Sequence, residues 1–300
     1  MPLRHNALAA TVALLWGVNF LAIDIGLETF PPLLFVALRF ALTAFPAVLL
    51  VRRPAVDLKW VVAVGFFLSV GQFGLLFVAI HIGMPAGLSS LVIQLQAVFT
   101  IALAVAFLGE RPSRLQLCGA FVAFAGLASI AVGRAQSVPL GAVFIVVGAA
   151  ASWGVSNICT RLAKPKPADG FALLVWASLV GPLPLLGLSF AFEGSSSMAH
   201  AFGRLGWPGL LSLLYVVVVS TLFGFGAWTW LLARHSASNV APFSLLAPVA
   251  ALASTWLARG ERPTPAELIG GIVIIIGLVL AVMPPPRLRI KVDTPHPMRP

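Results

Sequence analysis

The sequence predicts an all-α polytopic membrane protein, with ten transmembrane helices arranged as two inverted five-helix repeats. Three observations predict it. Charge is scarce: 60% of residues are apolar and 9% charged, where a soluble domain carries roughly 25% charged residues. Apolar runs of about the length that spans a bilayer follow one another along the chain. Two short motifs recur in the same order five runs apart.

So few charges cannot cover a water-facing surface, so most of the chain faces lipid. The net charge of +10 sits singly or in threes between apolar runs. It therefore forms no basic patch of the kind that binds nucleic acid. Cys118 and Cys159 lie inside apolar runs and supply neither a disulfide framework nor a zinc site. No cofactor and no metal is expected, and the expected partners are the lipid bilayer and a small-molecule substrate. The N-terminus lacks a convincing small-x-small cleavage site, so it reads as an uncleaved first span.

Taken in order with a window of about 20 residues, the spans cover 7–26, 33–51, 60–80, 86–108, 115–133, 139–159, 171–192, 208–232, 239–258 and 266–283. Runs such as Gly271–Val282 are continuously apolar, which favours helices over the alternating strands of a membrane barrel. With the N-terminus inside, fourteen of the 19 Lys and Arg fall on the inner side. Four (Arg134, Arg204, Arg259 and Arg262) fall outside, and Arg39 lies within a span. The positive-inside rule then puts both termini in the cytoplasm. Residues 284–300 are basic and Pro-rich with no apolar face, and are expected to be a disordered tail at the cytoplasmic membrane surface.

Trp16-Gly17-Val18-Asn19 in the first span recurs as Trp153-Gly154-Val155-Ser156-Asn157 in the sixth. Gly109-Glu110-Arg111-Pro112-Ser113 after the fourth recurs as Gly260-Glu261-Arg262-Pro263-Thr264 after the ninth, and Leu117-x-Gly119 as Leu268-x-Gly270. The chain therefore divides into repeats at 1–134 and 135–283. Five spans is an odd number, so the second copy enters the membrane from the opposite side. Inverted repeats characterise secondary transporters, whose related halves open one central site alternately to each side.

These residues, with Pro32 through Leu38-Arg39-Phe40 and the twin Gly-Glu-Arg elements, resemble the EamA family of the drug/metabolite transporter superfamily. The resemblance runs up to Met283. Gly83-Met84-Pro85-Ala86-Gly87-Leu88 followed by Gln94-x-Gln96 is most similar to members that export amino-acid metabolites such as cysteine and O-acetylserine. It implies ten helices in two inverted halves, a bacterial inner membrane and outward movement of such metabolites. Relatives with similar frames carry drugs, nucleobases or other polar metabolites, which is the alternative cargo. A membrane enzyme would need clustered reactive groups near midplane, whereas the five histidines lie outside that region and no HExxH or CxxC occurs.

The candidate substrate contacts are polar or aromatic residues inside spans. Arg39, costly at roughly 2.5–3.5 kcal/mol in a helix centre, can pair with a carboxylate through a bidentate fork. It also reads as a structural Arg bonded to helix-end carbonyls, or one snorkelling to the interface. Asn19 and Asn157, beside Trp16 and Trp153, read as paired substrate contacts or as helix–helix glue. Gln72, Gln94 and Gln96 are the other mid-span amides. Gln94 and Gln96 stand about 200° apart on a helix, so only one is expected to face the cavity. Trp176, Tyr215, Trp228 and Trp230 read as cavity walls or as interfacial belt residues. Asp24 and Glu28 at the outer end of the first span are the proton-coupling candidates, or simply interfacial carboxylates in water. Pro242 and Pro248 lie in the ninth span, and Pro248 is the expected gating kink.

Overall fold

The computed structural model describes residues 1–109, 113–134, 138–166, 169–232, 234–235, 240, 243–244, 246–260 and 262–282. The expected tail at 284–300, together with Glu110, Arg111, Pro112, Pro242 and Glu261, lies outside them. Helices dominate: α1 (Leu3–Leu27), α2 (Pro32–Leu50), α3 (Leu58–His81), α4 (Ala86–Leu108), α5 (Arg114–Arg134) and α6 (Leu140–Ala163). Then come α7 (Gly170–Phe192), the short α8 (Ser195–Gly203), α9 (Trp207–Leu231), α10 (Leu246–Arg259) and α11 (Pro265–Val282). Apart from α8 these helices are largely apolar, which suits lipid on one face and protein on the other. Among the described residues, seven of them (α1–α4, α6, α7 and α9) are long and apolar enough to cross a membrane. α5 and α11 carry shorter apolar stretches, Leu117–Gly126 and Leu268–Gly277. The expected ninth span is helical from Leu246, over 14 residues.

The helices pack in matched pairs. α1 lies along α10 as α6 lies along α4, and α9 lies against α1 as α3 lies against α6. α2 meets α7, and α5 meets α11. Small residues set these contacts, because van der Waals packing holds helices together in lipid. A Cβ on Gly17 would run into Ala250 and Ala251 of α10, and one on Gly154 would run into Phe99 and Thr100 of α4. Gly109 after α4 and Gly260 after α10 both take left-handed backbone, φ 66° and 69°. Glycine ends a helix in this way at little steric cost.

α3 and α9 share another feature. Each widens into a π-helical stretch, Phe66–Gly74 and Tyr215–Phe225. Wide turns of this kind recur at functional sites. Carbonyls within both stretches accept side-chain donors from neighbouring helices: Ser152 Oγ donates to Phe67 O at 2.8 Å, and Trp16 Nε1 donates to Ser220 O at 3.0 Å.

At one end of the bundle Glu193 holds the start of α2. Its carboxylate accepts the Leu33 N–H at 2.7 Å, the Leu34 N–H at 3.2 Å and the Ser189 hydroxyl at 2.6 Å. The two N–H groups are amides that a helix leaves without internal partners. Glu193→Ala is expected to cost about 1–2 kcal/mol, as loss of a helix cap does. Thermal unfolding of the purified protein in detergent checks it, and an unchanged midpoint would refute the capping role.

Candidate functional site

Residues of α1, α2, α3, α4, α6, α9 and α10 line a cavity of about 380 Å³. Trp16, Asn19, Arg39 and Gln72 form part of its wall, and Gln94, Gln96, Trp153, Asn157 and Trp228 form more of it. Sequence reasoning alone put these nine residues on six different spans.

Gln94 and Gln96 both reach the wall, contrary to the expectation that only one does. The reason is local: a 3-10 turn at Ile93–Leu95 interrupts α4, so the 100° step of an α-helix does not apply across it. Trp16 is fixed by Ser220 O, and its ring lies 5.0 Å from that of Trp228 and 5.1 Å from that of Phe225.

The remaining candidates lie elsewhere. Trp176 donates to Val51 O at 3.1 Å and packs in a separate apolar cluster with Val56, Val61 and Leu173. Tyr215 donates to Leu15 O at 2.9 Å and is not on the cavity wall. Trp230 lies under the Arg234 guanidinium, 4.0 Å from its centre. Pro248 sits in the first turn of α10, where a missing N–H breaks no helical hydrogen bond. Pro248 thus stands near the start of α10 rather than at the expected mid-helix kink.

Asp24 and Glu28 stand at the end of α1, tied to one cation. Arg259 at the end of α10 reaches Asp24 at 2.7 Å through Nε and Glu28 at 2.5 Å through Nη2. A partner 235 residues away could not be read from the sequence.

Arg39 is buried, 1% exposed, and neither snorkels nor bonds helix-end carbonyls. Its Nε and Nη2 donate to Thr221 Oγ1 at 3.2 and 3.0 Å, and the guanidinium lies 4.0 Å from the centre of the Phe73 ring. The Thr221 hydroxyl in turn donates to Val216 O at 2.6 Å. No ion pair joins Arg39 to a carboxylate among the described residues. A buried charge without an opposite charge is costly, so the arrangement is poised for an anion.

Sequence reasoning missed Thr221, Phe73, Ser90 and Ser220. Adjacent hydroxyls at Ser220-Thr221 inside the run Tyr215–Phe225 were a signal, since polar groups in lipid need partners.

The sequence model of the EamA-like transporter family matches residues 4–132 and again 140–283. The chain belongs to the EamA-like transporter family. It is 40% identical to the "Probable amino-acid metabolite efflux pump" of Salmonella typhimurium strain LT2, over 94% of this chain and 96% of that one. The Escherichia coli K12 protein of the same description is 38% identical over the same shares. A "Probable terminal-alkyne amino-acid exporter" of Streptantibioticus cattleyicolor is 34% identical, over 91% of each chain. A solved crystal structure 21% identical superposes with a TM-score of 0.59, over 93% of this chain and 97% of that one. That likeness speaks to the fold alone. This EamA-like protein is thus a multi-pass membrane transporter, with a cavity lined by seven of its helices.

Proposed function

We propose that the chain is a secondary active exporter of small amino-acid metabolites, cysteine- or O-acetylserine-like, working by alternating access in a bacterial inner membrane. One observation carries the reading: a cavity walled by Trp16 and Asn19 from one half and Trp153 and Asn157 from the other, with the uncompensated Arg39 on its wall. The paired contacts α1–α10 and α6–α4 support an inverted repeat of five helices at 1–134 and 135–283, as does the double family match. The relatives described as amino-acid metabolite pumps support the cargo.

On this reading both termini are cytoplasmic, and Asp24, Glu28 and Arg259 latch the outer mouth by joining α1 to α10. Asp24 and Glu28 remain the proton-coupling candidates, released from Arg259 when the mouth opens. Everted vesicles expose the cytoplasmic face, so labelled cysteine or O-acetylserine is expected to load them and an uncoupler to abolish loading. Vesicles that hold folded protein and fail to load would sink this cargo and turn the search to neutral drugs and nucleobases.

The latch gives a second test. Partly exposed ion pairs stabilise by up to about 1 kcal/mol each, so Arg259→Ala is expected to shift the conformational equilibrium about fivefold toward the outward-open state. With Cys118 and Cys159 replaced by alanine and one cysteine placed at Ser90, labelling by a membrane-impermeant thiol reagent from outside should rise accordingly. Equal labelling rates would remove the latch.

A further inference from the structure

The two sides of the cavity differ in how far their polar atoms are satisfied. Where α4 meets α6 the chemistry is closed. Asn157 Nδ2 donates to Gln96 Oε1 at 2.8 Å and to Thr100 Oγ1 at 3.1 Å, and the Thr100 hydroxyl donates to Gln96 O at 2.7 Å. Where α1, α2 and α3 meet it is open. Asn19 Oδ1, Gln72 Oε1 and Arg39 Nη1 are all buried with no hydrogen-bond partner among the described residues. The residues carrying them are 5%, 2% and 1% exposed, and all three lie on the cavity wall. Buried polar atoms are rarely left unpaired, and each exception calls for an explanation. Here three exceptions share one cavity: one cationic donor and two neutral acceptors.

We propose that these three atoms are the head-group subsite for an unmodified α-amino acid, an assignment that rests on the exporter reading above. The α-carboxylate accepts from Arg39 Nη1, and the α-ammonium donates to Asn19 Oδ1 and Gln72 Oε1. Thr221 occupies the Nε and Nη2 edge of the guanidinium, so the carboxylate docks on the other edge, at Nη1. A zwitterion supplies both things this wall lacks, a negative charge and a cluster of N–H donors. A carboxylic acid without the ammonium leaves two carbonyl oxygens unpaired beside an anion. An amine without the carboxylate leaves the guanidinium uncompensated. The cargo side chain then extends toward Trp153 and Asn157, where amide and hydroxyl groups already satisfy one another. The two asparagines, one in each half, therefore have different roles: Asn19 reads the ligand and Asn157 holds α4 to α6.

The test uses the full-length chain in lipid nanodiscs and reads binding by tryptophan fluorescence, since Trp16, Trp153 and Trp228 line the cavity. The probes are S-methyl-L-cysteine, its N-acetyl derivative and its methyl ester. Each modification is expected to raise Kd about tenfold or more, as loss of a hydrogen bond to a charged group does. Asn19→Leu and Gln72→Met are expected to bring the N-acetyl and parent Kd values within about threefold of each other while leaving the ester penalty intact. A purely structural role for either amide would not move that ratio. Should a variant fail to fold, the wild-type series decides. Equal affinity for the parent and its N-acetyl form overturns the subsite but leaves the exporter standing on vesicle loading. No binding of the parent, in protein whose vesicles also fail to load, overturns cargo and subsite together.

Discussion

Replacing Arg39 with methionine is expected to abolish loading of everted vesicles with labelled amino-acid metabolites while leaving the protein in the membrane at its normal level. The two halves of that expectation have different physical origins. In the structure the guanidinium is buried, spends Nε and Nη2 on one hydroxyl and leaves Nη1 without a partner among the described residues. Exchanging such a charge for an apolar side chain of similar volume is often neutral or stabilising. The fold therefore gains little from Arg39, whose retention needs another reason. With cargo bound, the same exchange removes the only partner of a desolvated carboxylate. Truncating one member of a buried charge pair costs about 3 kcal/mol, roughly 100-fold in affinity. Arg39→Lys keeps the charge but cannot hold Thr221 and a carboxylate on one planar fork, so it should retain only partial loading. Thr221→Val should sit between Lys and wild type, because it frees the guanidinium without discharging it. Normal export by a well-expressed Arg39→Met protein would remove Arg39 from the site.

How much of this was legible in the sequence depends on the length scale. Composition and run length were enough for an all-helical membrane chain, because twenty successive apolar residues have few other stable outcomes. Trp16, Asn19, Arg39, Gln72 and Asn157 stood out individually as polar or aromatic groups in lipid, and the cavity wall collects them. Angular position was harder. A fixed 100° step cannot represent the 3-10 turn at Ile93–Leu95 or the π stretches Phe66–Gly74 and Tyr215–Phe225. The rule that kept Gln94 and Gln96 apart failed for that reason. Partnerships across the chain were not legible at all. Asp24 and Arg259, or Arg39 and Thr221, meet only after helices from both halves have packed, and no local pattern encodes that meeting. Tyr215 and Trp176 show the reverse error: each is polar and aromatic within a span, but each spends its donor on a neighbouring carbonyl.

Gly277→Ala is expected to eliminate folded protein, a larger effect than its single added methyl would have at a lipid-facing position. α5 and α11 approach through matched glycines: Gly277 faces Ala123 and Gly119, and Gly126 faces Gly270 and Ile274. A Cβ on Gly277 would run into Ala123 N and stand 2.6 Å from Gly119 O, and one on Gly126 would stand 2.8 Å from Gly270 O. These neighbours are backbone atoms in helical hydrogen bonds, so no rotamer change relieves the overlap. Either the helices separate, losing the close packing that holds them in lipid, or the structure takes up strain beyond the usual 1–3 kcal/mol of an overpacked core, at roughly two contacts together. Gly71→Ala is the matched control. Its Cβ would meet the Ser152 hydroxyl, which can turn away at the loss of one hydrogen bond to Phe67 O. It would also stand 2.9 Å from the Ser152 Cβ, a side-chain contact eased by a shift of a few tenths of an ångström. Size-exclusion profiles of fluorescently tagged protein in mild detergent should show a sharp monodisperse peak for Gly71→Ala and aggregate for Gly277→Ala. The paired variant Gly126→Ala should behave like Gly277→Ala, because the same two helices meet at both positions. Monodisperse Gly277→Ala protein would mean that α5 and α11 can part without loss of the fold, and that their contact is a sliding surface of the transport cycle rather than its fixed frame.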